Sequence, residues 1–271
     1  MAVEQFWFGD PSLRQFGILR NTDTKKGSKG VLFFPGLAET KAGPVFLFTR
    51  IAHVLPTFLP VLQFDYACWG DSEGEMEESS LEGLIESARL AVKVLQQRAG
   101  CEEFLFIGHG VGNWIAATIG QWYAKSSLIM LLPYASPFNK DDFLLQTLIE
   151  KKDNTPHVLL DTGRSDQWQR GGAMRTLFCK LGADHYTTKG IVIREQLLND
   201  IADIDAKKLL RNHTGSLLEF HPQDQNALAF LAHQQSIALP FEDSYLTNPY
   251  NCDFIVEQTC AWIQKECESV L

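Results

Sequence analysis

The chain has 271 residues, 45% of them hydrophobic, enough for one large α/β domain or two small ones around a substantial core. A formal net charge of −9 argues against a nucleic-acid partner, because phosphate contacts need a basic face. No apolar stretch reaches the length of a membrane span, the N-terminus lacks a signal-peptide pattern, and the 6 cysteines form no C-x-x-C pair or zinc spacing. No metal and no cofactor are therefore expected, and a reducing cytoplasm is the expected setting.

In chain order, "EQFWFGDPSLRQFGILR" alternates apolar and polar residues around Asp10-Pro11-Ser12 and predicts an antiparallel hairpin. A polar loop leads to "VLFFPG", an apolar run suited to a strand buried on both faces. "AGPVFLFTRIAHVL" predicts a helix with Pro44 in its first turn, and "VLQFDY" the next strand. After the turn "ACWGDSEGEMEES", Leu81, Leu84, Ile85, Ala88, Val92 and Leu95 mark one face of a helix that Ser79 or Ser80 can cap and Gly100 can end. The acidic cluster Glu75, Glu77, Glu78 and Glu82 suits the positive end of that helix better than a metal site. "FLFIGH" then reads as a strand, "NWIAATIGQWYA" as a helix and "SLIMLLPYAS" as a strand.

This alternation predicts an α/β fold with a parallel sheet and helices on both faces. The rhythm breaks over residues 137–214, which hold the helical pattern "DDFLLQTLIEKK", the polar stretch "DTGRSDQWQRGGA" and the helix-like "REQLLNDIADIDAKKLL". It resumes with the strand "SLLEFHP", a helix over 224–235, the strand "SIALP" and a last helix, "CDFIVEQTCAWIQKECE". Asn251 can cap that helix, and Ile255, Thr259, Trp262 and Ile263 give it an inward face. Residues 1–136 and 215–271 are thus expected to form one core domain, and 137–214 an insertion over it.

The segment Gly108-His109-Gly110-Val111-Gly112 ends a strand and opens a helix. As a dinucleotide-binding loop it would need glycine at Asn113 and an acidic residue ending the next strand, and "SLIMLLPYASP" has none. It would also be expected on the first β–α unit, whereas several elements precede it.

Several motifs together resemble the α/β-hydrolase family. "FWFGDPSLRQFGILR" is similar to its antiparallel entry strands, "FFPGLAET" to its oxyanion-hole loop, and "FDYACWGDSEG" to its D-x-x-G-x-G-x-S turn. "GHGVG" stands where the nucleophile elbow G-x-S-x-G belongs. "LLEFHPQDQ" resembles the segment carrying the acidic triad member, at Asp224, and the insertion after "LLPYASP" matches the usual place of a cap. The resemblance spans nearly the whole chain and is nearest to the small-cap hydrolases that include those associated with bacterial exosortase systems. It implies a mostly parallel sheet with antiparallel N-terminal strands, helices on both faces and a small cap insertion.

The family's chemistry needs a serine, an imidazole to take its proton and a carboxylate to orient the imidazole. Gly110 stands at the nucleophile position and has no side chain. The segment that should hold the histidine, "SIALPFEDSYLTNPYNCDF", has none, and Ser244 stands nearest the expected place. By the resemblance, Asp224 remains as the acid, Leu37 and Val111 supply the oxyanion-hole N–H groups, and His109 packs or hydrogen-bonds behind the elbow. His185, in "GADHY", resembles the surroundings of a catalytic histidine but falls in the cap and before Asp224. His233 falls on the predicted helix over 224–235, too early in the chain for the usual loop, while His213 and His221 read as structural, as do Cys68 and Ser72 in the family turn. Cys101 is at the wrong end of its strand.

An elbow residue held at positive φ is strained unless it is glycine, so glycine here removes the chemistry while relaxing the turn. The N-myc downstream-regulated family and the neuroligins resemble this pattern in lacking the elbow serine. The expectation is a non-catalytic protein that keeps a pocket for a small apolar or carbonyl-containing ligand, or binds a protein partner, with a homodimer allowed. Trp168, Phe178 and Tyr186 can line such a pocket or form the cap's own small core. The alternative is an active hydrolase of the esterase or thioesterase class. Either Gly110 is then engineered, or an atypical set such as Asp224 with His185 activates water.

Overall fold

A computed structural model of the protein describes residues 3–22, 28–133, 149–152, 155–158, 179–181, 185–188, 191–223, 234–242, 246 and 248–268. Strands β1 (Val3–Asp10) and β2 (Leu13–Arg20) form the predicted hairpin. Its turn is closed by Asp10, whose Oδ1 accepts the Ser12 N–H at 2.8 Å and the Ser12 hydroxyl at 2.6 Å. β2 pairs antiparallel with β4 (Val61–Phe64), and β4 pairs parallel with β3 (Lys29–Phe34). β5 (Glu103–His109), β6 (Ser126–Leu131), β12 (Leu217–His221) and β13 (Gln234–Ala238) continue in parallel. The eight strands lie in the order β1-β2-β4-β3-β5-β6-β12-β13. Between β6 and β12 are a hairpin of β7 (Ile149–Lys152) and β8 (Thr155–Val158), and an antiparallel sheet of β9 (Cys179–Leu181), β10 (His185–Thr188) and β11 (Ile191–Arg194).

The sheet is covered on both faces, which is why β3 reads as an unbroken apolar run. Val31 and Phe33 pack with helices α1 (Leu47–Val54) and α6 (Pro249–Glu268) on one side. Leu32 and Phe34 pack with α2 (Leu81–Ala99) and α3 (Val111–Gly120) on the other. Helices α4 (Glu195–Ala202) and α5 (Ala206–Arg211) share that second core through Leu197, Leu198, Ile201, Ala206 and Leu210. In α2, Ser80 is the residue that caps, its Oγ accepting the Gly83 N–H at 3.0 Å, and Gly100 ends the helix at φ 66°. Ser79 instead accepts the Trp69 indole N–H at 2.7 Å in the interior.

Five sequence expectations change. Pro44 lies in a separate 3-10 turn, Pro44–Phe46, because Val45 and Phe46 take positive φ and break the helical path before α1 begins at Leu47. Ile149–Lys152, read as the end of a helix, pair with β8 as a strand, so tertiary pairing overrides the local helical pattern there; residues 141–148 lie outside the described residues. Gln234 and Gln235 belong to β13 rather than to a helix, and pair with Leu217 and Leu218. "REQLLNDIADIDAKKLL" forms two helices, the second capped by Asp205, whose Oδ1 accepts the Lys208 N–H at 2.9 Å. Asn251 does not cap α6. It is buried in the helix's first turn, accepting the Phe241 N–H at 3.2 Å and donating to the Phe241 carbonyl at 3.0 Å, while Asn248 Oδ1 accepts the Tyr250 N–H at 3.0 Å.

One side chain ties α3 to the sheet. Asn113, fully buried, donates to the Leu131 carbonyl at 2.9 Å and accepts the Leu131 N–H at 3.1 Å. Removing its amide leaves both backbone groups of Leu131 without that partner. Asn113→Ala is therefore expected to lower unfolding free energy by about 2–3 kcal/mol, measured by denaturant titration, and a loss below about 0.5 kcal/mol would contradict it.

Candidate functional site

Three glycines at the end of β5 are required for different reasons. A Cβ on Gly108 would lie 2.7 Å from the Asn113 Cα and N, and one on Gly112 only 2.0 Å from the Phe34 carbonyl oxygen. Those two positions let α3 fold back closely onto β5 and β3. Gly110 differs: its φ of 53° and ψ of −124° at the head of α3 disfavour any side chain, yet among the described residues a Cβ there would meet only Gly36 Cα, at 3.7 Å. The chain bends sharply at Gly110 between β5 and α3, and among the described residues the space where a side chain would begin is open.

Opposite the bend lies the loop after β3. The Glu39 N–H donates to the Gly36 carbonyl at 3.1 Å, with Ala38 between them at φ 58°. The Glu39 side chain turns back on the same loop and accepts the Gly36 N–H at 2.9 Å. The same carboxylate stands 2.9 and 3.0 Å from His109 Nδ1 through its two oxygens. An ionised carboxylate only accepts, so this contact places a proton on Nδ1. Both side chains are largely enclosed, at 12% exposure for His109 and 19% for Glu39. Gly36 is buried between the loop and the elbow, and a Cβ on it would strike Glu39 Oε2 at 2.8 Å. The Glu39 charge reaches inward as well: burial first, and then this carboxylate, push the wholly buried Tyr66 phenol well above its ordinary range.

The structure thus brings together Leu37, His109, Gly110 and Val111 from the expected set. Val111 opens α3, and Leu37 lies in the Gly36–Glu39 turn and packs on the core beneath that helix. Asp224, Ser244 and His233 lie outside the described residues. His185 starts β10, opposite Arg194 of β11, and its side chain is likewise outside them. His221 Nδ1 lies 3.0 Å from the Pro222 carbonyl at the end of β12. His213 is buried beside Gly120 and Gly215, where β6 begins, at the opposite end of the sheet from the elbow. Among the described residues no group of three or more His, Cys, Asp or Glu side chains could hold a metal ion.

The family-like turn after β4 is built for support. Buried Asp65 accepts the Lys41 N–H at 2.6 Å, the Lys41 ammonium at 2.7 Å and the Asp71 N–H at 3.0 Å. Ser72 donates to the Asp65 carbonyl at 2.9 Å and accepts the Phe16 N–H at 3.0 Å. Burial, and then Glu78 and Glu75, push the Cys68 thiol up, and burial pushes Cys101 up to about 11. Neither sulfur is poised as a thiolate nucleophile.

Glu39 was missed by sequence reasoning. Its one legible signal is the spacing Gly36-x-x-Glu39, which lets a carboxylate close a turn on the N–H three residues back. Its contact with His109 joins residues 70 apart, and no local pattern announces it.

No protein-family model matches the sequence, and no curated protein shows significant sequence similarity to it. Solved structures do resemble it. Est1E from Butyrivibrio proteoclasticus with bound ferulic acid superposes with a TM-score of 0.70 at 12% identity, covering 97% of this chain and 99% of that one. The esterase domain of a Rhodothermus marinus protein gives 0.61 at 16% identity over 98% and 99%. Mouse alpha/beta hydrolase domain-containing protein 10 gives 0.60 at 11% identity over 97% and 99%. Likeness at such identities concerns architecture, and it agrees with the strand order and the bend at Gly110: the chain has the α/β-hydrolase fold. No helix among the described residues is long and apolar enough to cross a membrane.

The glycine geometry yields a stability order. Gly110→Ala carries only the strain of positive φ and should cost about 1–3 kcal/mol. Gly112→Ala drives a methyl into backbone and should cost more than Gly110→Ala or prevent folding. Guanidinium midpoints test this, and an inverted order would show that the elbow position is not open.

Proposed function

We propose that the protein is a non-catalytic member of the α/β-hydrolase fold, a pseudo-hydrolase whose elbow pocket binds a small carbonyl-containing or apolar ligand. The single observation that carries this reading is Gly110: the elbow backbone is retained, but the attacking atom is not there. The N–H groups of Leu37 and Val111 flank the vacated position and would take a ligand's carbonyl oxygen without attacking its carbon. The histidine-free segment before α6 supports the same reading independently. A protein partner over the same pocket is the related form of this proposal, and residues 137–214 are proposed as the insertion that covers it.

The test uses p-nitrophenyl acetate and butyrate with a fluorophosphonate probe, on the unmodified protein and on Gly110→Ser. The unmodified protein is expected to show neither saturable turnover nor labelling. Saturable turnover that disappears in Asp224→Asn would overturn the proposal in favour of an active hydrolase with an atypical site.

A further inference from the structure

Among the described residues the hairpin edge of the sheet is unpaired: β1 is the terminal strand of the eight. Its neighbour shows which of its backbone groups face outward. Phe16, opposite Trp7, gives its N–H to the Ser72 hydroxyl at 3.0 Å, and its carbonyl accepts the Asp65 N–H at 3.0 Å. Arg14, opposite Gly9, gives its N–H to Glu73 Oε2 at 2.7 Å, and its carbonyl accepts the Glu73 N–H at 2.9 Å. Both residues of β2 turn their backbone groups away from β1, so the N–H and carbonyl of Trp7 and Gly9 point out of the sheet edge. By the alternation of an antiparallel pair, those of Gln5 and Val3 do the same. The side chains of Val3, Gln5 and Trp7 are exposed. Sheet edges are ordinarily blunted by proline, lysine, a bulge or an inward charge. Gln5-Phe6-Trp7-Phe8-Gly9 has none of these: it is uncharged and pairs with β2 residue for residue, and the acidic Glu4 and Asp10 stand at its two ends. On the helix side Phe6 packs with Phe8, their ring centroids 5.7 Å apart, beneath the Arg98 guanidinium, which lies 3.9 Å from the Phe6 centroid and pairs with Glu4.

We propose that β1 is the interface of a homodimer, in which it pairs antiparallel with β1 of a second copy across a two-fold axis and joins the two sheets into one. This goes beyond the ligand-pocket reading above and does not rest on it. The charge pattern selects both the occupant and the register. Pairing centred on Trp7 would set Glu4 directly opposite Asp10 of the second copy, at both ends of the interface, which is unfavourable. An axis through Phe6 sets Phe6 opposite Phe6, Gln5 opposite Trp7 and Val3 opposite Gly9, with no like charges opposed. The outward-facing groups of the Gln5–Trp7 and Val3–Gly9 pairs then exchange hydrogen bonds between the copies. Each chain carries a net charge of −9, and contact through an uncharged strand avoids opposing acidic side chains.

Sedimentation velocity over about 1–100 µM tests the assembly. The unmodified protein is expected to approach twice its 30.5 kDa mass at the upper end and to dissociate on dilution. Gln5→Pro removes only an outward-pointing N–H, so it should give a monomer at about 100 µM with an unchanged guanidinium midpoint. Trp7→Lys should also give a monomer, by placing a charge on the edge. Disulfide formation reads the register. The backbone groups of Phe6 are turned to β2, so across the axis it forms a non-hydrogen-bonded pair with its Cα atoms about 4.5 Å apart, within disulfide range. Air oxidation of Phe6→Cys, and not of Trp7→Cys, should yield a covalent dimer that dithiothreitol reverses and the unmodified protein does not form. A monomer at every concentration overturns the proposal, as does a dimer that survives both Gln5→Pro and Trp7→Lys. Cross-linking through Trp7→Cys alone overturns the register.

Discussion

The architecture around the elbow depends on the close approach of α3 to the sheet. At Gly112 the helix lies so near β3 that a single added carbon would stand 2.0 Å from the Phe34 carbonyl oxygen. Only glycine allows it, and Gly108 makes the matching allowance on β5. Once the helix is seated so tightly, the chain between β5 and α3 must reverse within one residue, and that residue is forced to positive φ. Gly110 is thus a consequence of its neighbours: the bend would be demanded of whatever residue stood there. Asn113, one turn into the helix, then fixes α3 laterally by pairing with both backbone groups of Leu131 on β6.

The loop facing the bend is held by carboxylates from two directions. Glu39 closes the loop on Gly36 and joins it to His109 on the elbow, while Asp65, at the end of β4, grips the backbone and ammonium of Lys41 just beyond. Gly70 makes room for Asp65, since a Cβ there would lie 2.5 Å from its carboxyl carbon. These contacts link the ends of β3, β4 and β5, and so the positions of Leu37 and Val111 relative to one another. None of them involves a serine or a catalytic histidine. This frame does not pass through residue 110, so its rigidity does not depend on which side chain stands there.

How far this was legible from residues alone follows from how local each signal is. The hairpin, the doubly buried strands and the cap and stop of α2 depend on neighbours a few positions apart, and Asp10, Ser80 and Gly100 act as their types and spacing imply. The strand–bend–helix at Gly108–Gly112 was legible because alternating glycines between an apolar strand and an apolar helix mark a tight reversal. Asn251 was misplaced because a polar residue just before an apolar helical face usually caps; here burial against Phe241 decided instead. Ile149–Lys152 adopt a pairing that no single-segment periodicity can encode. Glu39 escaped for a related reason: its local role is a turn, and its more informative partner, His109, is brought to it only by the order of β3 and β5 in the sheet.

The energetics of the bend bear on what such a site is for. In a working elbow the side chain at positive φ stores strain of about 1–3 kcal/mol, tolerated because that residue does the chemistry. With glycine the strain disappears, while among the described residues Gly36, Leu37, Glu39, His109 and Val111 lie around the bend. Two of these groups, the Glu39 carboxylate and the His109 imidazole, are polar, largely enclosed and bonded to each other. Enclosing such groups is unfavourable unless their hydrogen bonds are met, and meeting them ties two loops into one fixed frame.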